Sequence, residues 1–283
     1  KREILVTAEA GINTPTVMPD YLDAFNYATL FNEALQNDDL TPLYYTQEAL
    51  DAYQNGSDPL MYPDIDYYES YVKPSSPFQR AAISFAGGDR QINYFSMIDY
   101  VGSRGLESIG ELTKSDRFKI RGNVNLTLTD YIQMNINLSG TYGKSRFPNE
   151  GSGPDFFNMF NSLLSRYPSN AHAINYNDSL IISDDYPLNI ENELMSSGYA
   201  EGLNLNTQNT ATLLFDLNDL VQGLSFRATA SFDVYNNLTN NKGGTAALYR
   251  VLDDRSLEMI IEEAVDPGLT QGFNDFVKRT VGF

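Results

Sequence analysis

The chain of 283 residues has no cysteine, no tryptophan and a single histidine, His172. Without cysteine, no disulfide can support the fold, and cysteine usage says nothing about the redox compartment. A zinc site or a catalytic triad needs further ligands or an activated nucleophile beside the histidine. We therefore expect His172 to be a surface loop residue.

Basic residues are few. The chain has 19 lysines and arginines against 37 aspartates and glutamates, which gives a net charge of −18. Proteins that bind nucleic acid need a basic footprint, and docking to an anionic membrane surface needs one too. Both functions are disfavoured. No run approaches the roughly 18 consecutive apolar residues of a transmembrane helix, although a membrane β-strand leaves no such run because only every second residue faces lipid.

Strict alternation of apolar and polar residues dominates the middle of the chain. Side chains of a strand point to opposite faces, so residues 118–142 predict a hairpin with one apolar and one polar face. Each arm is about as long as a transmembrane strand of roughly 9–11 residues. The apolar side carries Val124 and Ile136, and the polar side carries Asn125 and Asn137. Residues 129–131 form the predicted turn.

The same pattern recurs near residues 207–235 and, less cleanly, near 78–101. It predicts an all-β fold with helical loop insertions. The predicted strands lie near 1–11, 78–86, 91–101, 117–128, 131–143, 207–217 and 224–235, with two further candidates at 246–252 and 276–283. Leu257 to Ala264 could be strand or helix.

Short and long connections alternate along this pattern. The predicted short turns lie near 87–90, 129–131 and 218–223, and the predicted long loops near 12–76, 102–116 and 143–206. Strands that run up and down then place every short turn at one end, as outer-membrane barrels do. Helices are predicted inside the loops at 20–37, at 47–54, in a short patch before Pro74 and at 156–164.

Several loop residues invite a functional interpretation, and each has a plainer one. The acidic clusters do not match a calcium loop, so solvated surface charge is expected. Tyrosines at 44–45, 67–68 and 71 could stack on sugar rings, but loop packing or a partner interface is favoured. Gly243 and Gly244 predict a flexible turn. Aromatic residues near arm ends suit an interfacial girdle: Phe118, Tyr131, Tyr142 and Phe147.

Several segments follow one another in a characteristic order and spacing. They are the segment at 20–35, Tyr-Gln-Asn-Gly-Ser-Asp-Pro (53–59), Tyr-Pro-Asp-Ile-Asp-Tyr-Tyr (62–68), Gln79-Arg80 leading into Ile-Ser-Phe-Ala-Gly-Gly-Asp (83–89), Tyr94-Phe95, 121–128 and 138–140. In this order and spacing the chain resembles the front part of the barrel of SusC/RagA-type TonB-dependent outer-membrane transporters of Bacteroidetes. The resemblance covers roughly residues 1–240.

The resemblance implies about 8–9 strands of a transmembrane barrel of about 22. Both termini look like cut β structure, so we expect a segment of a longer protein, without the family's signal peptide, TonB box and plug. The family imports a large nutrient, commonly an oligosaccharide or a peptide, across the outer membrane, energised by the TonB complex. A SusD-like surface lipoprotein helps to capture the substrate.

Two classes of function remain open. The first is a segment of such a transporter, in contact with membrane lipid and with no enzymatic activity, no cofactor, no metal and no nucleic-acid partner. The second is a soluble secreted β-rich binding module, such as a carbohydrate-binding or adhesin domain. No set of nucleophile, base and orienting residue can be assembled, so an enzyme is disfavoured. Substrate-contacting residues cannot be assigned from the sequence.

Overall fold

The computed structural model describes residues 2–110, 113–149, 167–265 and 270–282. The helices and strands follow in chain order. They are β1 (Arg2–Asn13), α1 (Ala24–Asn37), α2 (Gln47–Asn55), α3 (Tyr67–Tyr71), β2 (Ser76–Gly88), β3 (Ile92–Arg104), β4 (Lys114–Thr129), β5 (Ile132–Pro148), β6 (Asn175–Tyr176), β7 (Ser179–Ile181), a π-helix (Asn192–Ser196), β8 (Gly198–Asp216), β9 (Ser225–Thr245), β10 (Leu248–Val251), β11 (Leu257–Ile261), β12 (Ala264–Val265) and β13 (Thr270–Gly282).

A nine-stranded antiparallel sheet, which we call the wall, makes up most of the molecule. Its order is β1-β2-β3-β4-β5-β8-β9, and both β12 and β13 pair with the far side of β9. The sheet is open and does not close on itself. The predicted all-β fold with helical loop insertions is confirmed.

The wall strands are longer than the predicted arms, and the extra residues lie at the long-loop end. β5 has 17 residues, β8 has 19 and β9 has 21. Alternation of apolar and polar residues stops near Tyr142, because both faces become polar beyond it. The backbone ladder continues regardless, with Lys144 opposite Leu203 and Arg146 opposite Glu201. Periodicity therefore ended the predicted strands too early.

Long and short connections lie at opposite edges of the wall. β2–β3, β4–β5 and β8–β9 are joined by short turns at residues 89–91, 130–131 and 217–224. The long connections run over 14–75, 105–113, 149–197 and 246–263. The connections over 14–75 and 149–197 correspond to two of the predicted long loops. The connection over 105–113 is only one residue longer than the turn over 217–224, so the predicted long loop at 102–116 is wrong in length.

The long connections fold together into one body that we call the cap, made of residues 14–75, 105–110, 113, 167–197 and 246–263. A second sheet inside it has the order β11-β10-β7-β6. The candidate strand at 246–252 corresponds to β10, which lies in this cap sheet and not in the wall, and which buries Leu248. The candidate strand at 276–283 falls within β13, which pairs with β9.

The cap helices begin at capping residues. Asp23 accepts a hydrogen bond from the backbone N–H of Asn26 at 2.7 Å and starts α1, later than the predicted residue 20. Thr46 caps α2 in the same way, and Gly56 ends it in the left-handed conformation, which glycine adopts without steric cost. The predicted helix at 156–164 lies outside the described residues.

The core of the cap joins segments that are far apart in the chain. Buried residues of α3 pack against residues of the 167–197 segment, namely Tyr67, Tyr68, Tyr71, Val72, Ile190 and Leu194. The 105–113 loop adds a β-bridge between Val72 and Glu107. The cap is thus a small packed body held above one edge of the wall.

Candidate functional site

Register across the wall sorts its side chains into two faces. One row crosses six strands through Tyr94, Val124, Ile136, Ala211, Ala230 and Val281. The neighbouring row on the opposite face runs through Phe95, Asn123, Asn137, Thr210, Ser231 and Thr280. Because directly paired residues point the same way, the alternation within each strand adds up to one apolar face and one polar face.

Aromatic and charged rows limit the apolar face at the cap side. Tyr100, Phe118 and Tyr142 are paired in register, and the rings of Tyr100 and Phe118 lie 4.8 Å apart. Beyond them on the same face charged side chains appear among apolar ones, because Lys144 lies in register with Leu203 and Leu203 with Leu238. Lys144 forms an ion pair with Glu201 at 2.9 Å.

Aromatic residues also mark the short-turn side, where the rings of Phe215 and Phe226 lie 5.7 Å apart. From Ile132 to Tyr142 the strand rises roughly 33 Å, at about 3.3 Å per residue, and a tilt of about 40° reduces this to about 25 Å. That height matches the apolar band of a membrane barrel. The predicted girdle is wrong at Phe147, whose parity places it on the polar face.

The polar face is lined by neutral amides and hydroxyls, with a few cations. Lys119, Arg121, Asn123, Asn137, Ser139, Gln208 and Thr210 line a shallow depression of about 350 Å³ across β4, β5 and β8, together with Leu138. Nearby, Arg80 binds Asp99 at 2.8 Å. These groups can bind water or a polar solute.

Tyrosines of the cap divide into a buried and an exposed group. Tyr67, Tyr68 and Tyr71 are buried in the cap core, as the loop-packing interpretation predicts. Tyr44 is 59% exposed, although its ring packs edge-on against Tyr45 at 4.9 Å and its hydroxyl donates to Asp185 at 2.7 Å. Among the predicted sugar-stacking tyrosines, Tyr44 is the most accessible.

The acidic clusters of the cap act mainly as hydrogen-bond acceptors within the structure. Asp64 accepts a hydrogen bond from the backbone N–H of Ala24 at 2.9 Å, and Asp66 caps α3. Together with Asp23 they line a cleft of about 190 Å³. No group of three or more potential metal ligands occurs within the described ranges.

The prediction that His172 is a surface residue is wrong. Its side chain is 5% exposed, with the edge of the Tyr167 ring against it. Nδ1 lies 2.8 Å from the carbonyl of Ala173, and Nε2 lies 3.0 Å from that of Leu188. Burial lowers the pKa of the imidazole, and the neutral ring donates to one of the two carbonyls. His172 therefore joins two loop segments.

No protein-family model and no curated protein sequence matches the chain. Solved structures do match. The chain folds like part of the RagAB transporter. In the match to the RagAB peptide importer in the closed-closed state, 86% of this chain is aligned, at 17% identity and a TM-score of 0.55. The open-open state gives 18% identity, 86% coverage and a TM-score of 0.54, and a structure of the RagAB peptide transporter gives 17%, 86% and 0.52.

The chain spans only 28–29% of the length of these matched chains. At this identity the likeness establishes the fold alone. The wall is accordingly part of a large antiparallel β-barrel, as the pattern and the resemblance predict. In such a barrel one face of the wall points outward and the other inward.

Two glutamates in the cap, the buried Glu107 and the half-buried Glu193, have raised pKa values. Burial raises the pKa of Glu107, which is 2% exposed, although the N–H of Thr113 donates to one of its carboxyl oxygens at 2.6 Å. The other oxygen is buried without a hydrogen-bond partner. Burial likewise raises the pKa of Glu193.

The sequence did not reveal the amide at the centre of the cap. Asn189 is fully buried, and its side chain donates to the carbonyls of Ile174 and Ile181 while accepting from the N–H groups of Glu191 and Asn192. The turn-favouring Pro-Leu-Asn context offers only a weak local signal. The bonds themselves depend on long-range folding.

Proposed function

We propose that this chain forms part of the membrane wall and the extracellular cap of a TonB-dependent outer-membrane importer. The observation that carries the proposal is the one-sided apolar band, about 25 Å high, with aromatic rows at both limits. A soluble module would expose this face to water, and contiguous apolar surfaces of that extent are rare on soluble monomers. No helix in the described part of the chain is long and apolar enough to cross a membrane.

The polar face would then line the lumen, and the cap would lie outside the cell. The importer would take up an oligosaccharide or a peptide and carry out no catalytic step. The matched structures are of a peptide importer, which supports this class of function. Energy would come from the TonB complex through a region outside this chain.

A SusD-like lipoprotein would bind the outer surface of the cap. The segment before α1 and the surface near α2 expose large apolar side chains, which interfaces prefer at their centres. The most exposed are Val17 at 82%, Tyr44 at 59%, Leu40 at 53%, Leu30 at 50% and Tyr21 at 49%. In a cap that had no partner these side chains would stay in water.

The decisive experiment is purification of the full-length protein from native outer membranes. We expect the protein in the detergent-extracted outer-membrane fraction, together with a surface lipoprotein. Photo-crosslinking from Val17 should reach the lipoprotein, whereas crosslinking from Val124 should reach lipid. A monomeric, detergent-free protein with a compact two-sheet fold would instead support a soluble secreted binding module.

A further inference from the structure

A stripe of three cations lies on the polar face of β4. Arg117, Lys119 and Arg121 occupy alternate positions of one strand, so their side chains point to the same side. We call them the basic stripe. Lys119 and Arg121 line the shallow depression across β4, β5 and β8. The chain as a whole has a net charge of −18, so this local excess of positive charge runs against its composition.

Neighbouring carboxylates do not neutralise the whole stripe. Asp99 lies opposite Lys119 in register, but it is bound by Arg80 at 2.8 Å, and Arg80 also faces Glu9 at 4.0 Å. Asp233 is in register with Gln208 at the far edge of the depression and with Lys278 beyond it, and it accepts a hydrogen bond from the backbone N–H of Asn209 at 3.3 Å. This leaves Arg117 and Arg121 without a carboxylate of their own.

Within the part of the chain that the structure describes, none of the three cations makes an ion pair or a side-chain hydrogen bond. Arg117 and Arg121 are exposed, and Lys119 is half-buried. Asn123, Asn137 and Gln208 beside them also use no side-chain bond within the wall. The site therefore presents cationic donors next to amides that can both donate and accept.

The chemistry of the depression selects among polar solutes. No aromatic ring is among its lining residues, and Phe95, in register with Asn123, is the aromatic residue that borders it on the same face. The lining itself therefore offers charged groups and amides for binding. Guanidinium groups bind carboxylates through paired hydrogen bonds. Side-chain amides pair equally well with the N–H and C=O groups of a peptide backbone.

We propose that the basic stripe and the amides beside it form a binding site for acidic peptides on the lumenal wall. This inference rests on the proposed function, because the polar face must line the lumen for a substrate to reach it. It narrows the substrate from an oligosaccharide or peptide to a peptide that carries carboxylates.

The test uses the full-length transporter with its native partner, and two short capped peptides. In one peptide glutamate alternates with alanine, and in the other glutamine replaces every glutamate. Binding is measured by calorimetry at low and at high salt. The wild-type protein should bind the glutamate peptide more tightly, and the preference should shrink at high salt because exposed charges are screened.

Replacement of the cations should remove the preference. Arg121→Gln should weaken binding of the glutamate peptide about fivefold, and Arg117→Gln with Lys119→Gln and Arg121→Gln should weaken it by tens of fold, by the usual strength of exposed charge pairs. Binding of the glutamine peptide should stay unchanged. Arg227→Gln is the matched control, since Arg227 is exposed on the same face but on the order of 20 Å away near the short-turn edge.

Each result has a definite meaning. Equal binding of both peptides by the wild type, or an effect of Arg227→Gln as large as that of Arg121→Gln, overturns the site but leaves peptide import intact. If the triple variant binds neither peptide and is newly cleaved by protease inside the barrel, the basic stripe binds another part of the protein and the proposed peptide site is overturned. Absence of the protein from the outer membrane would overturn the proposed function itself.

Discussion

Arginine substitutions on the two faces of β5 test whether the apolar face meets lipid. Ile136 lies four positions from Ile132 and six from Tyr142. With the same rise and tilt as above, it sits roughly 10 Å above the short-turn limit and roughly 15 Å below the aromatic row. Ile136 is therefore close to the middle of the band. A charged side chain at that depth loses its hydration.

We expect Ile136→Arg to lower the free energy of unfolding in phospholipid bilayers by about 2–4 kcal/mol. Leu205→Arg, on the same face at the row of Tyr142, should cost about 0–1 kcal/mol, because an arginine there reaches the interface. Asn137→Arg, one position away on the opposite face, should also be mild, since its side chain would be in a wet lumen.

The assay is reversible urea unfolding of the full-length protein in bilayers, followed by tyrosine fluorescence and by the mobility of the folded band on gels. The slope of the unfolding free energy against urea concentration should be the same for all variants. Differences between the midpoints of the unfolding transitions then report differences in stability. Equal costs for Ile136→Arg and Asn137→Arg would mean that both faces are buried in protein. A cost for Leu205→Arg as large as that for Ile136→Arg would remove the depth dependence that lipid imposes.

Three further predictions concern the cap and the start of β8. Burial raises the pKa of Glu107, so its contribution to stability is complete below the ordinary pKa and is lost as pH rises through the folded value; Glu107→Gln should flatten this dependence in amide exchange of the 105–113 loop, and an unchanged profile would contradict it. Asn189→Ala removes four buried hydrogen bonds and should destabilise the cap by about 2–5 kcal/mol in proteolysis-based unfolding, whereas exposed Asn175→Ala should be nearly neutral. Gly198 has φ of +91° and a Cβ there would lie 1.9 Å from a carbonyl oxygen of β9, so Gly198→Ala should impair folding, while Gly272→Ala, which meets nothing within 4 Å, should not.

The sequence predicted the wall well because a sheet with one apolar and one polar face requires apolar and polar residues to alternate along each strand. Val124 and Asn125 alone indicate which way β4 faces, and their register partners repeat the signal on five other strands. The alternation disappears where both faces of the sheet have the same environment. That is why β5 and β9 run further than periodicity indicates, and why Gly243 and Gly244, predicted as a turn, lie inside β9.

The cap could be predicted only in part. Local apolar spacing and the end signals after residues 37 and 54 placed α1 and α2 almost correctly. The N-cap bonds of Asp23 and Thr46, which join residues three positions apart, were not part of that prediction. The burial of His172 and the position of β10 depend on partners far along the chain, which no local pattern encodes. The polar wall site was missed for a related reason, because the shared face of Arg121, Asn137 and Gln208 follows from the pairing of β4, β5 and β8.

The contacts that hold the cap together also set the order in which the molecule can fold. Tyr44 binds Asp185 across 141 residues, Tyr71 binds Glu191 across 120, and Arg255 binds Asp58 across 197. Closing such long loops is slow unless other contacts have already brought the ends of the loops together. The hairpins of the wall bring the ends of the cap loops together. The cap is therefore expected to form last. The cap is then also the first part to open under stress, with the wall still folded beneath it.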